Sequence, residues 1–178
     1  RYVALAMSED NRVDLYMLDL ATNAKTRLTN DQHVESSPCW SPNGEEVCFV
    51  SDKLGVPQIY LMSASGGAAR RLSVGGNECV SPDWSRVTNR LCYAKRSNIG
   101  QYVIEVQDMG KGGGAPEAVT VAAGDWEAPS WAPDGRHLVC TRRSGRSRDL
   151  YMVDTWLKAF WPITKNADFA LPAWTPAH

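Results

Sequence analysis

Of the 178 residues, 19 are lysine or arginine and 20 are aspartate or glutamate, which gives a formal net charge of −1. That balance lacks the basic footprint of a nucleic-acid binder, and no apolar run approaches the roughly 18 residues of a membrane-spanning helix, so both classes are set aside. The length suffices for one domain with a sizeable core.

In chain order, Arg1–Ser8 reads as a strand, followed by the polar turn Glu9-Asp10-Asn11-Arg12. Asp14–Asp19 is a second strand, and Ala21–Ala24 turns into a third at Lys25–Thr29. The next segment supplies four strands: Ser36–Trp40, then Glu46–Ser51 after a Ser-Pro-Asn-Gly turn, Gln58–Ser63 after the loop Asp52–Pro57, and Ala69–Ser73 after Gly66-Gly67. The turn chemistry is explicit, since Pro42 presets φ and Gly44 accepts a positive φ. The same order recurs over 80–120, where Lys111-Gly112-Gly113-Gly114 lengthens one hairpin, and again over 127–164. A last strand is expected at Phe169–Trp174, and nowhere is there helical periodicity of useful length.

These segments are copies of one unit. Ser37-Pro38-Cys39-Trp40-Ser41-Pro42-Asn43-Gly44 returns as Ser81-Pro82-Asp83-Trp84-Ser85, as Ala128-Pro129-Ser130-Trp131-Ala132-Pro133-Asp134-Gly135, and as Leu171-Pro172-Ala173-Trp174-Thr175-Pro176. The tryptophans are spaced by 44, 47 and 43 residues, and a second motif at Tyr16, Tyr60, Ile104 and Tyr151 steps by 44, 44 and 47. A period of about 40–50 residues holding four short strands is that of a β-propeller blade. The expected fold is therefore an all-β propeller of four-stranded antiparallel blades, with one domain over 1–178. Its blades are 1–29 completed by 169–178, 36–73, 80–120 and 127–164. The proline before each tryptophan belongs on an edge strand, such as the innermost strand of a blade. The four Trp residues of the motif are read as inter-blade packing. Four blades' worth of strands leaves three arrangements open: a closed ring, a homodimer joining two copies, or a piece of a larger propeller. The start at Arg1 favours the piece.

No constellation for a chemical step stands out. There is no Gly-x-Ser-x-Gly, the histidines (33, 137, 178) fall at non-equivalent repeat positions, and the five cysteines (39, 48, 79, 92, 140) show no metal spacing. Neither a catalytic set nor a metal or cofactor site is expected. The odd cysteine count leaves at least one free thiol, and Cys48 and Cys92 share a repeat position suited to a small buried residue. The cluster Arg142, Arg143, Arg146 and Arg148 reads as a solvated hairpin. The segments leading into the innermost strands carry carboxylates: Asp31 and Glu35, Glu78, Asp125 and Glu127, and Asp168. In a propeller such segments converge at one mouth of the channel, where gathered negative charge favours a cationic group or backbone donors of a partner. His33 and Trp126 lie in the same segments, Trp126 as an exposed contact, so the expected partner-binding set is Asp31, His33, Glu35, Glu78, Asp125, Trp126, Glu127 and Asp168.

The motifs Asp-Leu-Tyr-Met-x-Asp, Thr-Arg-Leu-Thr or Arg-Arg-Leu-Ser, and Ser-Pro-x-Trp-Ser-Pro-Asn-Gly resemble the TolB-type propeller repeat, and the ending Leu171–His178 is similar to the way TolB-family propellers finish. The third repeat departs from the pattern with Ile104 at the tyrosine position, and the second turn, Ser85-Arg86-Val87-Thr88, has neither Pro nor Gly. The resemblance covers the whole chain and corresponds to the last four blades of a six-bladed propeller. It implies a periplasmic, non-enzymatic scaffold of the Tol–Pal cell-envelope system that binds a peptidoglycan-associated lipoprotein and supports envelope integrity. Similar repeats occur in prolyl-oligopeptidase-type hydrolases and in glycan- or metal-binding lyases, which are the alternatives.

Overall fold

The computed structural model describes residues 1–9 and 11–175. Asp10 of the expected turn and the terminal Pro176, Ala177 and His178 lie outside the described residues. The described chain contains strands and no helix. It divides into two compact units, 1–82 and 83–178.

The first unit opens with a three-stranded antiparallel sheet of β1 (Tyr2–Glu9), β2 (Arg12–Asp19) and β3 (Lys25–Arg27). A four-stranded sheet follows in the order β4 (Glu35–Trp40), β5 (Glu46–Ser51), β6 (Gln58–Ser63) and β7 (Arg70–Arg71). Between them lies a core of Leu15, Val47, Phe49, Tyr60 and Met62, against which Trp40 and Leu28 pack. β8 (Cys79–Trp84) starts at the end of this unit and leads the next sheet, with β9 (Arg90–Arg96), β10 (Tyr102–Asp108) and β11 (Glu117–Ala118). The last sheet is β12 (Asp125–Trp131), β13 (His137–Ser144), β14 (Ser147–Asp154) and β15 (Ala159–Pro162). Each sheet is a sequential antiparallel meander, which is the construction of a propeller blade.

The prolines of the repeat sit where the sheets tolerate them. β4, β8 and β12 are edge strands, so a missing N–H costs no ladder bond. The residue before each proline is left-handed, with φ 50° at Ser37, 53° at Ser81 and 49° at Ala128. The register shifts at that point, between Ser36 and Cys39 in β4 and between Glu127 and Ser130 in β12. The Ser-Pro or Ala-Pro dipeptide is thus a built-in β-bulge that turns the edge strand.

The Arg-Leu-Thr type motif has an equally concrete role. Leu28, Leu72, Val119 and Ile163 donate their N–H to the carbonyls of Leu15, Ile59, Ile104 and Leu150. The next residue returns the bond: the hydroxyls of Thr29, Ser73, Thr120 and Thr164 accept the N–H of those same four residues at 2.9, 3.1, 2.9 and 2.9 Å. This two-residue clip satisfies the next-to-last strand of each sheet where the last strand leaves it. It also explains why the expected fourth strand Ala69–Ser73 shrinks to the two residues of β7.

One expected element is corrected. Phe169–Trp174 forms no strand. The chain there runs beside the start of β14, with a parallel bridge between Arg148 and Asp168, and Phe169 N–H donates to Arg148 O at 3.0 Å. Leu171 takes φ 54° before Pro172, so the bulge conformation is present without a ladder. Among the described residues, the first sheet accordingly has three strands and the strand total is fifteen.

Of the motif tryptophans in the second unit, Trp84 and Trp131 pack as expected, whereas Trp174 is exposed. Trp84 and Trp131 are buried, and Trp131 ties successive sheets together, its backbone N–H donating to Asp83 Oδ2 at 2.7 Å and its indole Nε1 to Asp83 O at 3.1 Å. All five cysteines are free thiols, four of them buried, and burial pushes the Cys140 thiol up to about 12.

Candidate functional site

Six of the eight expected partner-binding residues are partly or fully open to solvent, and two are not. In the first unit, the loop between the Thr29 clip and β4 carries Asp31 and His33. Asp31 is exposed, and its Oδ1 accepts the His33 N–H at 3.0 Å, an Asx turn that shapes the loop. The His33 ring, 43% exposed, lies 3.8 Å from Asp52 Oδ1. Asp52 also receives the Val34 N–H at 2.9 Å, which anchors the loop to the end of β5. Glu78 is half-buried just before β8.

Glu35 departs from the expectation of a surface acid. It is 1% exposed, with Ser51 Oγ donating to its Oε1 at 3.0 Å and Thr29 Oγ1 lying 3.4 Å from its Oε2. Removal from water disfavours the carboxylate form, and burial pushes the Glu35 carboxyl up to about 7.

In the second unit the carboxylates are matched by arginines of the hairpin β13–β14. Asp125 accepts the Tyr102 N–H at 3.0 Å and Arg143 Nη2 at 2.9 Å, and Glu127 lies 3.9 Å from the same guanidinium. Asp168 receives Arg148 Nε at 2.6 Å. In each pair the arginine is half-exposed, so the acids keep a polar surface while their net negative field is reduced. The hairpin arginines were expected as a solvated turn, yet two of them are the partners of these expected site acids.

Trp126 is the second correction. An exposed contact role does not hold, because the side chain is 0% exposed and its Nε1 donates to Ala122 O at 3.0 Å. Its ring meets Tyr151 edge-on at 5.3 Å and Phe160 at 5.1 Å, while the Arg142 guanidinium covers it at 5.1 Å. The repeat register gives the reason. Trp126 stands two residues before the Ala128-Pro129 bulge, as Glu35 and Cys79 stand before theirs, and all three side chains are buried. That position faces the blade interior. Arg142 is held there by a bond from its Nη2 to Ala123 O at 2.6 Å. Gly124 (φ 125°) gives it room, since a Cβ there would meet Arg142 Nε at 3.0 Å.

Among the described residues, no three His, Cys, Asp or Glu side chains are grouped to hold a metal ion. In the first unit the geometry offers short hydrogen-bonded segments before β4 and β8 that carry Asp31, His33 and Glu78; in the second it offers the start of β12, with Asp125 and Glu127, and Asp168 beside β14.

Residues 1–178 match the family described as TolB beta propeller domain. The Tol-Pal system protein TolB of Francisella tularensis subsp. mediasiatica is 27% identical over 161 residues, covering 86% of this chain and 35% of that protein. The chain thus spans about a third of the length of the curated relatives it matches. The crystal structure of TolB from Acinetobacter baumannii superposes with a TM-score of 0.84 at 25% identity, over 99% of this chain and 44% of that one. The structure of a putative TolB from Agrobacterium tumefaciens gives a TM-score of 0.78 at 20% identity, over 92% and 61%.

Proposed function

Because this chain belongs to the TolB β-propeller family, we propose that it is part of a periplasmic scaffold of the Tol-Pal system that binds a peptidoglycan-associated lipoprotein and carries out no chemical step. The observation that carries the reading is the family match along all 178 residues, together with likeness to proteins named for the Tol-Pal system. The sheets of this fold are rigid frames, and function on such frames resides in the connecting segments. Asp31, His33, Glu78, Asp125, Glu127 and Asp168 are the contacts we assign to the partner. Glu35 and Trp126 act from beneath, holding the segments that present them.

The chemistry suits a protein surface rather than a small ligand. Rim acids already paired with arginines can exchange those pairs for a partner's donors, which tunes recognition and encounter more than raw affinity. The test is to map backbone amide resonances of the chain as a purified lipoprotein of this class is added. Perturbations concentrated at 31–35, 78–79, 125–127 and 168 are expected. Perturbations confined to the opposite strand ends, around 41–46 and 132–137, would overturn the assignment of the contacts.

A further inference from the structure

Thr29 has one hydroxyl proton and two buried carboxyl groups within reach of it. Its Oγ1 lies 3.2 Å from Asp14 Oδ1 and 3.4 Å from Glu35 Oε2 while accepting the Leu15 N–H at 2.9 Å. Asp14 is 0% exposed and Glu35 is 1% exposed. The guanidinium in this cluster, Arg27, is bonded to Asp14 Oδ2. If both carboxyls were ionised, two buried negative charges would share one guanidinium, and the single Thr29 proton could serve only one of them. The other would keep an oxygen removed from water and without a donor, which is costly.

A neutral Glu35 resolves every bond. Its O–H donates to Thr29 Oγ1, Thr29 donates to Asp14, and Arg27 holds the far oxygen of Asp14. The two lone pairs of Thr29 then take the Leu15 N–H and the Glu35 O–H, and Ser51 serves the remaining oxygen of Glu35. Thr29 and Glu35 also stand at the two ends of the loop 30–34 that carries Asp31 and His33.

We infer that Glu35 is held as a neutral acid whose proton clips the two ends of the 30–34 loop together, and that its ionisation loosens the loop and weakens docking through Asp31 and His33. The docking half of this statement rests on the partner reading proposed above; the clip does not. The other charged groups facing the site are accounted for. Asp31 and Lys53 line the same cavity of about 210 Å³ as Glu35 and Thr29, and Lys53 is held over the Tyr60 ring at 4.0 Å. Asp52 is engaged by Val34 and faces His33, while Arg71 is bonded to Gln58, the cross-strand neighbour of Ser51. Asp14 and Asp31 add their negative charge to the effect of burial, so the environment favours the neutral acid near pH 6 and the ion well above pH 7.

The experiment follows the side-chain carboxyl carbon of Glu35 and the amides of residues 30–34 by NMR as pH is raised from 5 to 9, first in the unaltered chain. The carboxyl carbon is expected to titrate near neutrality, with the loop amides moving at the same midpoint. In Glu35→Gln, whose amide can donate to Thr29 permanently, the loop amides should stay in their low-pH positions throughout. A Glu35 carboxyl that titrates in the ordinary carboxylate range overturns the clip, and it does so without any variant. Loop amides that titrate identically in Glu35→Gln overturn it as well. Lipoprotein binding measured alongside separates the two ideas. Binding that weakens severalfold from pH 6 to 8 in the unaltered chain but not in Glu35→Gln supports the whole inference. No binding at any pH with the titration intact rejects the partner reading and leaves the clip standing.

Discussion

Glu35 and Asp154 are buried carboxyls driven in opposite directions. Asp154, 1% exposed, receives Arg136 Nε at 3.0 Å and the N–H groups of Trp156 and Leu157 at 2.9 and 3.1 Å. Those donors, with the guanidinium foremost, hold its carboxyl down at about 2. Its stabilising contribution is present above the ordinary aspartate range and is lost as pH falls toward 2. Glu35 works the other way, since a carboxyl raised to about 7 stabilises the fold fully below its ordinary value of 4.5 and loses that contribution as pH rises through 7. Denaturant midpoints followed against pH should therefore fall between pH 5 and 8 in the unaltered chain, by roughly a hundredfold in the unfolding constant at most. Glu35→Gln should flatten that limb. Asp154→Asn should lower stability at pH 7, with the difference from the unaltered chain vanishing near pH 2. A third residue-scale expectation concerns Trp126. Trp126→Ala should cost about 3–5 kcal/mol in chemical unfolding, whereas an exposed contact residue would cost a few tenths.

At the scale of the element, the hydroxyl clip and the proline bulge explain why the repeat motif reads as it does. Ser73→Ala and Thr120→Val each remove the acceptor of a buried N–H, at 3.1 and 2.9 Å respectively. Each should cost about 1–2 kcal/mol, measurable as a shift in denaturant midpoint. Ala128, left-handed at φ 49°, makes the complementary test. Ala128→Gly should be neutral or slightly stabilising, and Ala128→Val destabilising by about 1–2 kcal/mol. The strands and turns were legible because period-2 apolar runs and Pro-Gly turn chemistry are local signals, repeated three to four times. Two things were not. The burial of Trp126 and Glu35 depends on which face the bulge turns inward, a matter of register and not of composition. The pairing of Asp125 with Arg143 and of Asp168 with Arg148 joins residues 18 and 20 positions apart, so an acidic rim was visible in the sequence while its counter-charges read as a separate basic turn. The segment Phe169–Trp174 shows the limit of motif reading. It carries the full inner-strand signature and even the left-handed Leu171, yet a strand needs a ladder partner as well as a motif.

For the molecule as a whole, a propeller of the TolB family supplies stiff blades, and the proposed function assigns recognition to the short segments between them. The polar groups in those segments are engaged by neighbours of their own blade, as Asp31 is by His33 and Asp125 by Arg143, which preorganises them and lowers the ordering cost of association. Docking through such a rim should depend on ionic strength, weakening as salt rises. The most direct test of the central claim is a calorimetric titration of the folded chain with a peptidoglycan-associated lipoprotein at pH 6. Saturable heat at a defined stoichiometry, reduced in a variant carrying Asp31→Asn, Glu127→Gln and Asp168→Asn that stays folded by circular dichroism, is the predicted result. A folded chain that gives no heat of binding at any ratio or salt concentration would contradict it.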